Sequence, residues 1–163
     1  MKLLLFLIGF MGSGKSTLGH YLAREWDLPL WDSDHLLEVW QGDSPGNQLH
    51  ADPVAFRARE QILLGELARL KRGIIVLGGG VVESENNRNL LQSLPVLLLD
   101  PGPDICWHRV QTSSQYRPLA VDKESFYALY NRRQELYRQC CLWQLQVDAP
   151  IENLAETIEK FIV

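Results

Sequence analysis

Short apolar runs alternate with longer amphipathic stretches along the whole chain. The apolar runs predict five strands, at Lys2–Ile8, Leu28–Trp31, Gly73–Leu77, Pro95–Leu99 and Trp143–Val147. The amphipathic stretches predict seven helices, at Lys15–Trp26, Ser33–Trp40, Pro53–Leu70, Glu83–Ser93, Pro103–Val110, Lys123–Cys141 and Ile151–Phe161. Strands that alternate with helices pair in parallel and carry helices on both faces. The pattern therefore predicts an α/β fold of three layers around a five-stranded parallel sheet, as one domain over residues 1–163.

Two polar stretches interrupt this alternation. Gln41–Asp52 and Gln111–Asp122 have no clear apolar period and contain proline together with glycine or serine, so we expect both to be loops. Polar loops above a nucleotide site often act as lids, and residues 111–122 are the candidate lid. Plain surface connectors remain the alternative for both stretches.

Composition restricts the class of protein to an ordinary globular domain. The chain has 163 residues, 46% hydrophobic and 22% charged, which excludes collagen-like, disordered and disulfide-scaffold chains. A net charge of −4 provides no global field for a polyanion, so we expect no nucleic acid as a partner. Eleven arginines against five lysines favour small anions as ligands, because arginine binds carboxylates and phosphates in a fixed geometry.

Cysteine use and the start of the chain predict a cytoplasmic protein. Three cysteines, Cys106, Cys140 and Cys141, cannot pair completely, and their spacing matches no zinc or redox motif, so we expect reduced thiols. The apolar start leads directly into a glycine-rich motif without a cleavage site, so it predicts a buried strand rather than a leader. No stretch reaches the ~20 apolar residues of a membrane span.

A glycine-rich loop follows the first predicted strand. Residues 9–17 read Gly-Phe-Met-Gly-Ser-Gly-Lys-Ser-Thr and match the pattern G-x-x-x-x-G-K-[ST] between a strand and a helix. Such a loop turns backbone N–H groups toward phosphate oxygens, and the helix N-terminus adds its dipole. Lys15 reaches the β- and γ-phosphates, and the hydroxyl of the next residue, Ser16, can ligate Mg²⁺. The motif predicts nucleotide binding through Gly12, Ser13, Gly14, Lys15, Ser16 and Thr17.

Asp32-Ser33-Asp34 follows the second predicted strand. Ligands of open α/β sheets collect at the carboxyl ends of strands, so both carboxylates are expected to face the glycine-rich loop. One can hold hydrated Mg²⁺ and the other can orient or deprotonate an attacking hydroxyl. The alternative is that Asp32 or Asp34 simply caps the next helix.

Four further features carry chemistry. Arg57 and Glu60 are three apart on a predicted helix, so they share a face and can pair. Gly78-Gly79-Gly80 follows the third strand, where missing side chains let a ligand approach the backbone. Arg117 lies in the candidate lid and Arg133 on the next long helix. Taken singly, each arginine is better interpreted as a solvated surface charge.

Together, the motifs D-x-D, F-R-x-x-E, G-G-G, R-P-L and R-x-x-L-Y follow the glycine-rich loop in an order that resembles the shikimate kinases. These small P-loop kinases transfer the ATP γ-phosphoryl group to the 3-hydroxyl of shikimate in aromatic amino-acid biosynthesis. The resemblance covers nearly the whole chain, from Ile8 to Asp148. It implies ATP as co-substrate, Mg²⁺ as cofactor, a substrate-binding region at about 32–61 and a monomer.

The resemblance also implies a role for each matching residue. Lys15 and Arg117 neutralise charge on the transferred phosphoryl, and Ser16 and Asp32 form the Mg²⁺ site. Asp34 binds the substrate hydroxyls and takes the proton. The substrate carboxylate pairs with two arginines and lies near a glycine backbone, and adenine lies between two further residues. The substrate set is Arg57, Arg133, Gly79 and Gly80, with Glu60 holding Arg57, and the adenine pair is Arg109 and Pro150.

Two other functions remain open from the sequence. A second small-metabolite kinase, similar to gluconate kinase, shares the glycine-rich loop, the lid and a carboxylate substrate. A nucleotide-binding module without catalysis is the other alternative, because Gln41–Pro53 departs from the family pattern. A GTPase is disfavoured, since the chain has no Asn-Lys-x-Asp motif.

Overall fold

A computed structural model describes residues 3–113 and 122–162. The strands are β1 (Leu4–Ile8), β2 (Leu30–Asp32), β3 (Gly73–Val76), β4 (Val96–Asp100) and β5 (Trp143–Gln146). The helices are α1 (Lys15–Glu25), α2 (Ser33–Gln41), α3 (Pro45–Ala51), α4 (Pro53–Leu67), α5 (Glu85–Leu91), α6 (Pro103–Thr112), α7 (Lys123–Arg138) and α8 (Ile151–Ile162), and Val81–Glu83 forms a 3₁₀ turn. All strand pairs are parallel, in the order β2-β3-β1-β4-β5. The predicted five-stranded parallel sheet is confirmed.

The sheet is buried on both faces. In β1, Leu5 and Leu7 pack into a cluster with side chains of α1 and α8. The alternate residues Phe6 and Ile8 pack into the cluster on the opposite face, which contains side chains of α4, α5, α6 and α7. Because successive side chains of a strand point to opposite faces, a continuous apolar run supplies both layers. This arrangement confirms the three predicted layers.

The prediction that Gln41–Asp52 is wholly a loop is wrong, because residues 45–51 form α3. Ser44 caps this helix by accepting the Asn47 N–H at 3.2 Å, and Pro45 occupies its first turn, where proline is compatible with a helix. The Gln48 amide is buried and donates to the carbonyl oxygens of Leu37 and Asp43 at 3.2 and 2.6 Å. A buried glutamine replaces the apolar anchor that a helical pattern requires, so the hydropathy pattern does not reveal this helix.

The predicted helix Glu83–Ser93 is divided, since the 3₁₀ turn ends at Glu83 and α5 begins only at Glu85. The candidate lid begins later than predicted, because Gln111 and Thr112 complete α6. Residues 114–121, with Arg117, lie outside the described residues. Over the two ranges that are described, no helix is long and apolar enough to cross a membrane.

The topology brings three loops to one edge of the sheet. The strands β1, β2 and β3 are parallel neighbours, so the segments that leave their carboxyl ends lie side by side. These segments are the glycine-rich loop, Asp32 to Asp34 and Gly78 to Gly80. Strand order reverses at β1, and ligands of open α/β sheets bind in the crevice at such a point.

Two helical glycines provide a test of this packing. A Cβ on Gly19 would lie 2.5 Å from Cγ2 of Val76, whereas a Cβ on Gly65 meets nothing within 4 Å. We expect Gly65→Ala to raise the free energy of unfolding by about 0.5–1 kcal/mol, because alanine favours helix. Gly19→Ala should lower it by about 1–3 kcal/mol, because overpacking against the stiff Val76 outweighs that gain.

Urea unfolding of the two variants beside the unsubstituted chain measures both changes. A Gly19→Ala chain that is as stable as the Gly65→Ala chain would contradict the close packing of α1 on β3.

Candidate active site

The glycine-rich loop holds a lysine in an almost buried position. Lys15 is 9% exposed, and its Nζ donates to the carbonyl oxygens of Gly9 and Phe10 at 2.8 and 3.1 Å. Gly12 and Gly14 adopt φ angles of +78° and +96°, which favour glycine. The backbone thus curves around the ammonium group and leaves it beside the α1 N-terminus, where phosphate oxygens are favoured.

A cavity of about 890 Å³ opens over this loop. It brings together most of the residues predicted for nucleotide, metal and substrate. They are Gly12, Gly14, Lys15, Ser16, Thr17, Asp32, Asp34, Arg57, Gly79, Gly80, Arg109 and Arg133. Side chains of α2 and α3 also border it, namely His35, Glu38 and Leu49, and the sequence analysis did not select them. A helix that the hydropathy pattern missed therefore contributes to the wall.

Ser13 and Pro150 were also predicted to bind the nucleotide, but neither lines the larger cavity. Ser13 is fully buried in the loop. Pro150 is exposed, and its neighbours Ala149 and Ile151 line a second cavity of about 360 Å³.

The second cavity is mainly apolar and adjoins the first. Its apolar wall includes Leu99, Val147 and Leu154, while Gly14, Thr17 and Arg109 border both cavities. The Arg109 guanidinium is held at this junction, since its Nη1 donates to the Gly12 carbonyl oxygen at 3.2 Å. A flat apolar group in the second cavity would therefore reach the glycine-rich loop beside Arg109.

Asp32 caps α2 with one carboxylate oxygen and faces Ser16 with the other. Its Oδ1 accepts the backbone N–H groups of Asp34 and His35 at 3.0 and 3.3 Å and so caps α2. Its other oxygen, Oδ2, lies 3.5 Å from the Ser16 hydroxyl. Capping fixes the carboxylate, and its Oδ2 faces Ser16 at the end of the glycine-rich loop.

The three glycines after β3 make room for two charged side chains. A Cβ on Gly78 would lie 2.5 Å from Oδ1 of Asp34, and a Cβ on Gly80 would lie 2.6 Å from Nη1 of Arg57. The Gly78 N–H donates to the Ser33 hydroxyl at 2.9 Å, which joins this loop to the start of α2. The glycine run thus permits a carboxylate and a guanidinium to lie directly against the backbone.

Arg57 is paired as the spacing predicted. Its Nη1 lies 2.7 Å from Oε2 of Glu60, whose side chain is only 4% exposed. Burial raises the pKa of the Glu60 carboxyl, and the charge and hydrogen bond of Arg57 oppose that rise. The pair belongs to the wall of the larger cavity, since both residues border it.

Arg133 is held by residues that the sequence analysis did not select. Its side chain is 4% exposed, its Nε donates to Glu83 at 2.7 Å, and its guanidinium lies 5.8 Å from the centre of the Phe10 ring. The Tyr137 hydroxyl donates to the Gly79 carbonyl oxygen at 2.6 Å. Glu83 and Arg133 are fifty residues apart, so no helical or strand spacing pointed to their contact.

Comparisons with known proteins agree with this geometry. The sequence pattern of the family described as "Shikimate kinase" matches residues 11–163. A shikimate kinase from Rhodopirellula baltica is 32% identical over 166 residues, covering 97% of this chain and 88% of the relative. One from Burkholderia pseudomallei is 33% identical over 150 residues, covering 90% and 82%.

A solved structure extends the likeness to three dimensions. The structure of shikimate kinase from Acinetobacter baumannii in complex with shikimate superposes with a TM-score of 0.89 at 28% identity, over 98% of this chain and 92% of that chain. The P-loop, the motifs that follow it and these matches over nearly the full length agree, and the chain belongs to the shikimate kinase family.

Proposed function

We propose that this protein transfers the γ-phosphoryl group of ATP to the 3-hydroxyl of shikimate. The observation that carries this proposal is the single cavity in which a P-loop lysine, a carboxylate and two arginines meet. A polyhydroxy acid needs an anion-binding pair of donors and a proton acceptor beside its hydroxyl, and ATP needs cationic and N–H donors for its phosphates. Membership of the shikimate kinase family supports the same reaction.

In this proposal, ATP lies across both cavities. Its phosphates lie on the backbone of residues 12–17, with Lys15 against the β- and γ-phosphates. Adenine occupies the smaller, apolar cavity between Arg109 and the segment that contains Pro150. Arg117 adds positive charge to the transferred phosphoryl when the segment 111–122 closes, and closure excludes water that would otherwise hydrolyse ATP. The roles of Arg117 and of this lid rest on the sequence and the resemblance.

Ser16 and Asp32 fit Mg²⁺, because a hydroxyl and a fixed carboxylate face each other beside the phosphate loop. The described ranges contain no cluster of three acidic, histidine or cysteine ligands. One hydroxyl and one carboxylate suit Mg²⁺, because this ion keeps several waters and binds through one or two carboxylates and substrate phosphates. When bound, Mg²⁺ neutralises charge on the phosphates.

The acceptor is oriented by its carboxylate. Arg57 and Arg133 border the cavity from α4 and α7, and together they present forked donors suited to a carboxylate. The backbone of Gly79 and Gly80 contacts the ring. Asp34 accepts hydrogen bonds from the hydroxyls and takes the 3-hydroxyl proton as the oxygen attacks phosphorus.

We also propose that the reaction takes place in the cytoplasm and that the protein acts as a monomer. Free cysteines at positions 106, 140 and 141 are consistent with a reducing compartment.

Release of ADP from Mg-ATP tests the proposed reaction. We expect strong release with shikimate and little with gluconate or without an acceptor, because only shikimate matches the complete acceptor site. A coupled assay on purified protein measures all three rates. Equal release with both acids would favour a kinase of broader choice, and binding of ATP without any release would favour a non-catalytic nucleotide-binding module.

Replacing the proposed base separates chemistry from binding. Asp34→Asn keeps the shape of the side chain but removes the proton acceptor, so we expect kcat to fall by about 10²–10⁴ with the KM for ATP unchanged. Steady-state kinetics measures both constants. Asp27→Asn is the control, since Asp27 lies between α1 and β2, before the amino end of β2 and away from the carboxyl ends that form the site. Its positive φ is one that asparagine tolerates. A kcat within a few-fold of the unsubstituted enzyme would remove Asp34 from the chemistry.

The glycine run provides a test of the acceptor site. Gly80 has φ −92° and ψ 0°, so alanine is compatible with its backbone, and the cost of Gly80→Ala is displacement of the Arg57 guanidinium. We expect the KM for shikimate to rise about tenfold or more, because one charge-assisted contact is lost, with the KM for ATP unchanged. Gly65→Ala is the matched control. Equal changes in both KM values would contradict a local effect on Arg57.

A further inference from the structure

Glu83 joins the loop that follows β3 to helix α7. It is the last residue of the 3₁₀ turn Val81–Glu83, three positions after Gly80. Its carboxylate accepts Nε of Arg133 at 2.7 Å and Nη1 and Nη2 of Arg132 at 2.8 Å each. Three charge-assisted hydrogen bonds thus converge on one carboxylate, and such bonds are roughly twice as strong as neutral ones.

The two arginines on Glu83 differ in exposure. The Arg132 side chain is 58% exposed and that of Arg133 is 4% exposed. The outer pair is therefore screened by water and contributes little by itself. The inner contact is shielded, and loss of the Glu83 partner would leave a buried guanidinium without its counter-charge.

The contact with Glu83 determines which edge of Arg133 faces the cavity. Because Nε donates to Glu83 and the guanidinium lies over the Phe10 ring, rotation of the side chain is restricted. One turn further along α7, the Tyr137 hydroxyl donates to the Gly79 carbonyl oxygen and ties the helix to the same loop. The terminal nitrogens are left as the donors for a ligand in the cavity that Arg133 borders.

The Glu83 carboxyl is ionised at neutral pH. Partial burial raises the pKa of its carboxyl, but the hydrogen bonds and charges of Arg132 and Arg133 outweigh this effect and hold the pKa below its ordinary value. The ionised carboxylate therefore gives the buried Arg133 a fully charged partner.

We propose that Glu83 is a positioning residue that holds Arg133 for the carboxylate of the acceptor, an inference that rests on the proposed function. The site then contains two arginines from different helices, each fixed by its own glutamate. Glu60 holds Arg57 within α4, and Glu83 holds Arg133 across the fold. Glu83 acts on acceptor binding, and the phosphoryl transfer itself proceeds without it.

The variant Glu83→Gln tests this role. A glutamine oxygen accepts from one arginine at a time and carries no charge, so Arg133 loses its fixed orientation. We expect the KM for shikimate to rise about tenfold, since hydrogen bonds to charged groups are worth that much, while kcat and the KM for ATP stay within about twofold. Glu135→Gln is the matched control, because Glu135 lies in α7 with Arg133 but pairs with the exposed Arg138 at 3.1 Å. An unchanged KM for shikimate, or an equal rise in the KM for ATP, would overturn the proposal.

A double-variant cycle distinguishes positioning from a general structural contribution. Arg133→Lys removes Nε as a donor, so Glu83→Gln added to it should raise the KM for shikimate no further. Full additivity of the two changes would show that Glu83 acts by another route and would overturn the proposal.

The Nε–H resonance of Arg133 in ¹⁵N NMR reads the contact without any substrate. We expect a protected signal in the unsubstituted chain and its loss in Glu83→Gln, and a signal that persists in the variant would overturn the positioning role. Absence of phosphoryl transfer by the unsubstituted enzyme would instead defeat the proposed function, so the two failures are distinguishable.

Discussion

The acceptor half of the site depends on the close approach of two charged side chains to the glycine run Gly78–Gly80. Asp34 and Arg57 occupy the space that Cβ atoms of Gly78 and Gly80 would fill. The proposed base and one proposed carboxylate-binding group are therefore placed by a single loop. That loop continues into Glu83, which reaches Arg133. The glycine run and the ion pair between Glu83 and Arg133, whose residues lie far apart in the sequence, thus shape the same cavity.

Two residues combine a structural contact with a proposed chemical role. Asp32 caps α2 with one oxygen and faces Ser16 with the other. Capping and metal binding are therefore compatible, because a carboxylate has two oxygens with separate lone pairs. Lys15 likewise donates to loop carbonyls at the place where phosphate oxygens are proposed to bind. Preorganisation of this kind lowers the entropic cost of arranging the reacting groups.

The sequence predicted correctly those features that depend on residues close together in the chain. The parallel sheet followed from alternating apolar runs, and the pairing of Arg57 with Glu60 followed from a spacing of three on a helix. Helix α3 was missed because its buried anchor is the amide of Gln48, which a hydropathy pattern counts as polar. The helix predicted from Glu83 begins only at Glu85, because short 3₁₀ turns and helix starts have similar sequences.

The sequence by itself determined the phosphate loop, the strand and helix alternation and the residue types of the site, since each depends on neighbours within a few positions. Tertiary structure alone decided the partners that lie far from those residues along the chain. The contacts of Arg133 with Glu83 and Phe10, and of Asp34 with Gly78, join segments far apart in the chain. Such contacts depend on strand order and helix placement, and no periodicity in the sequence records them.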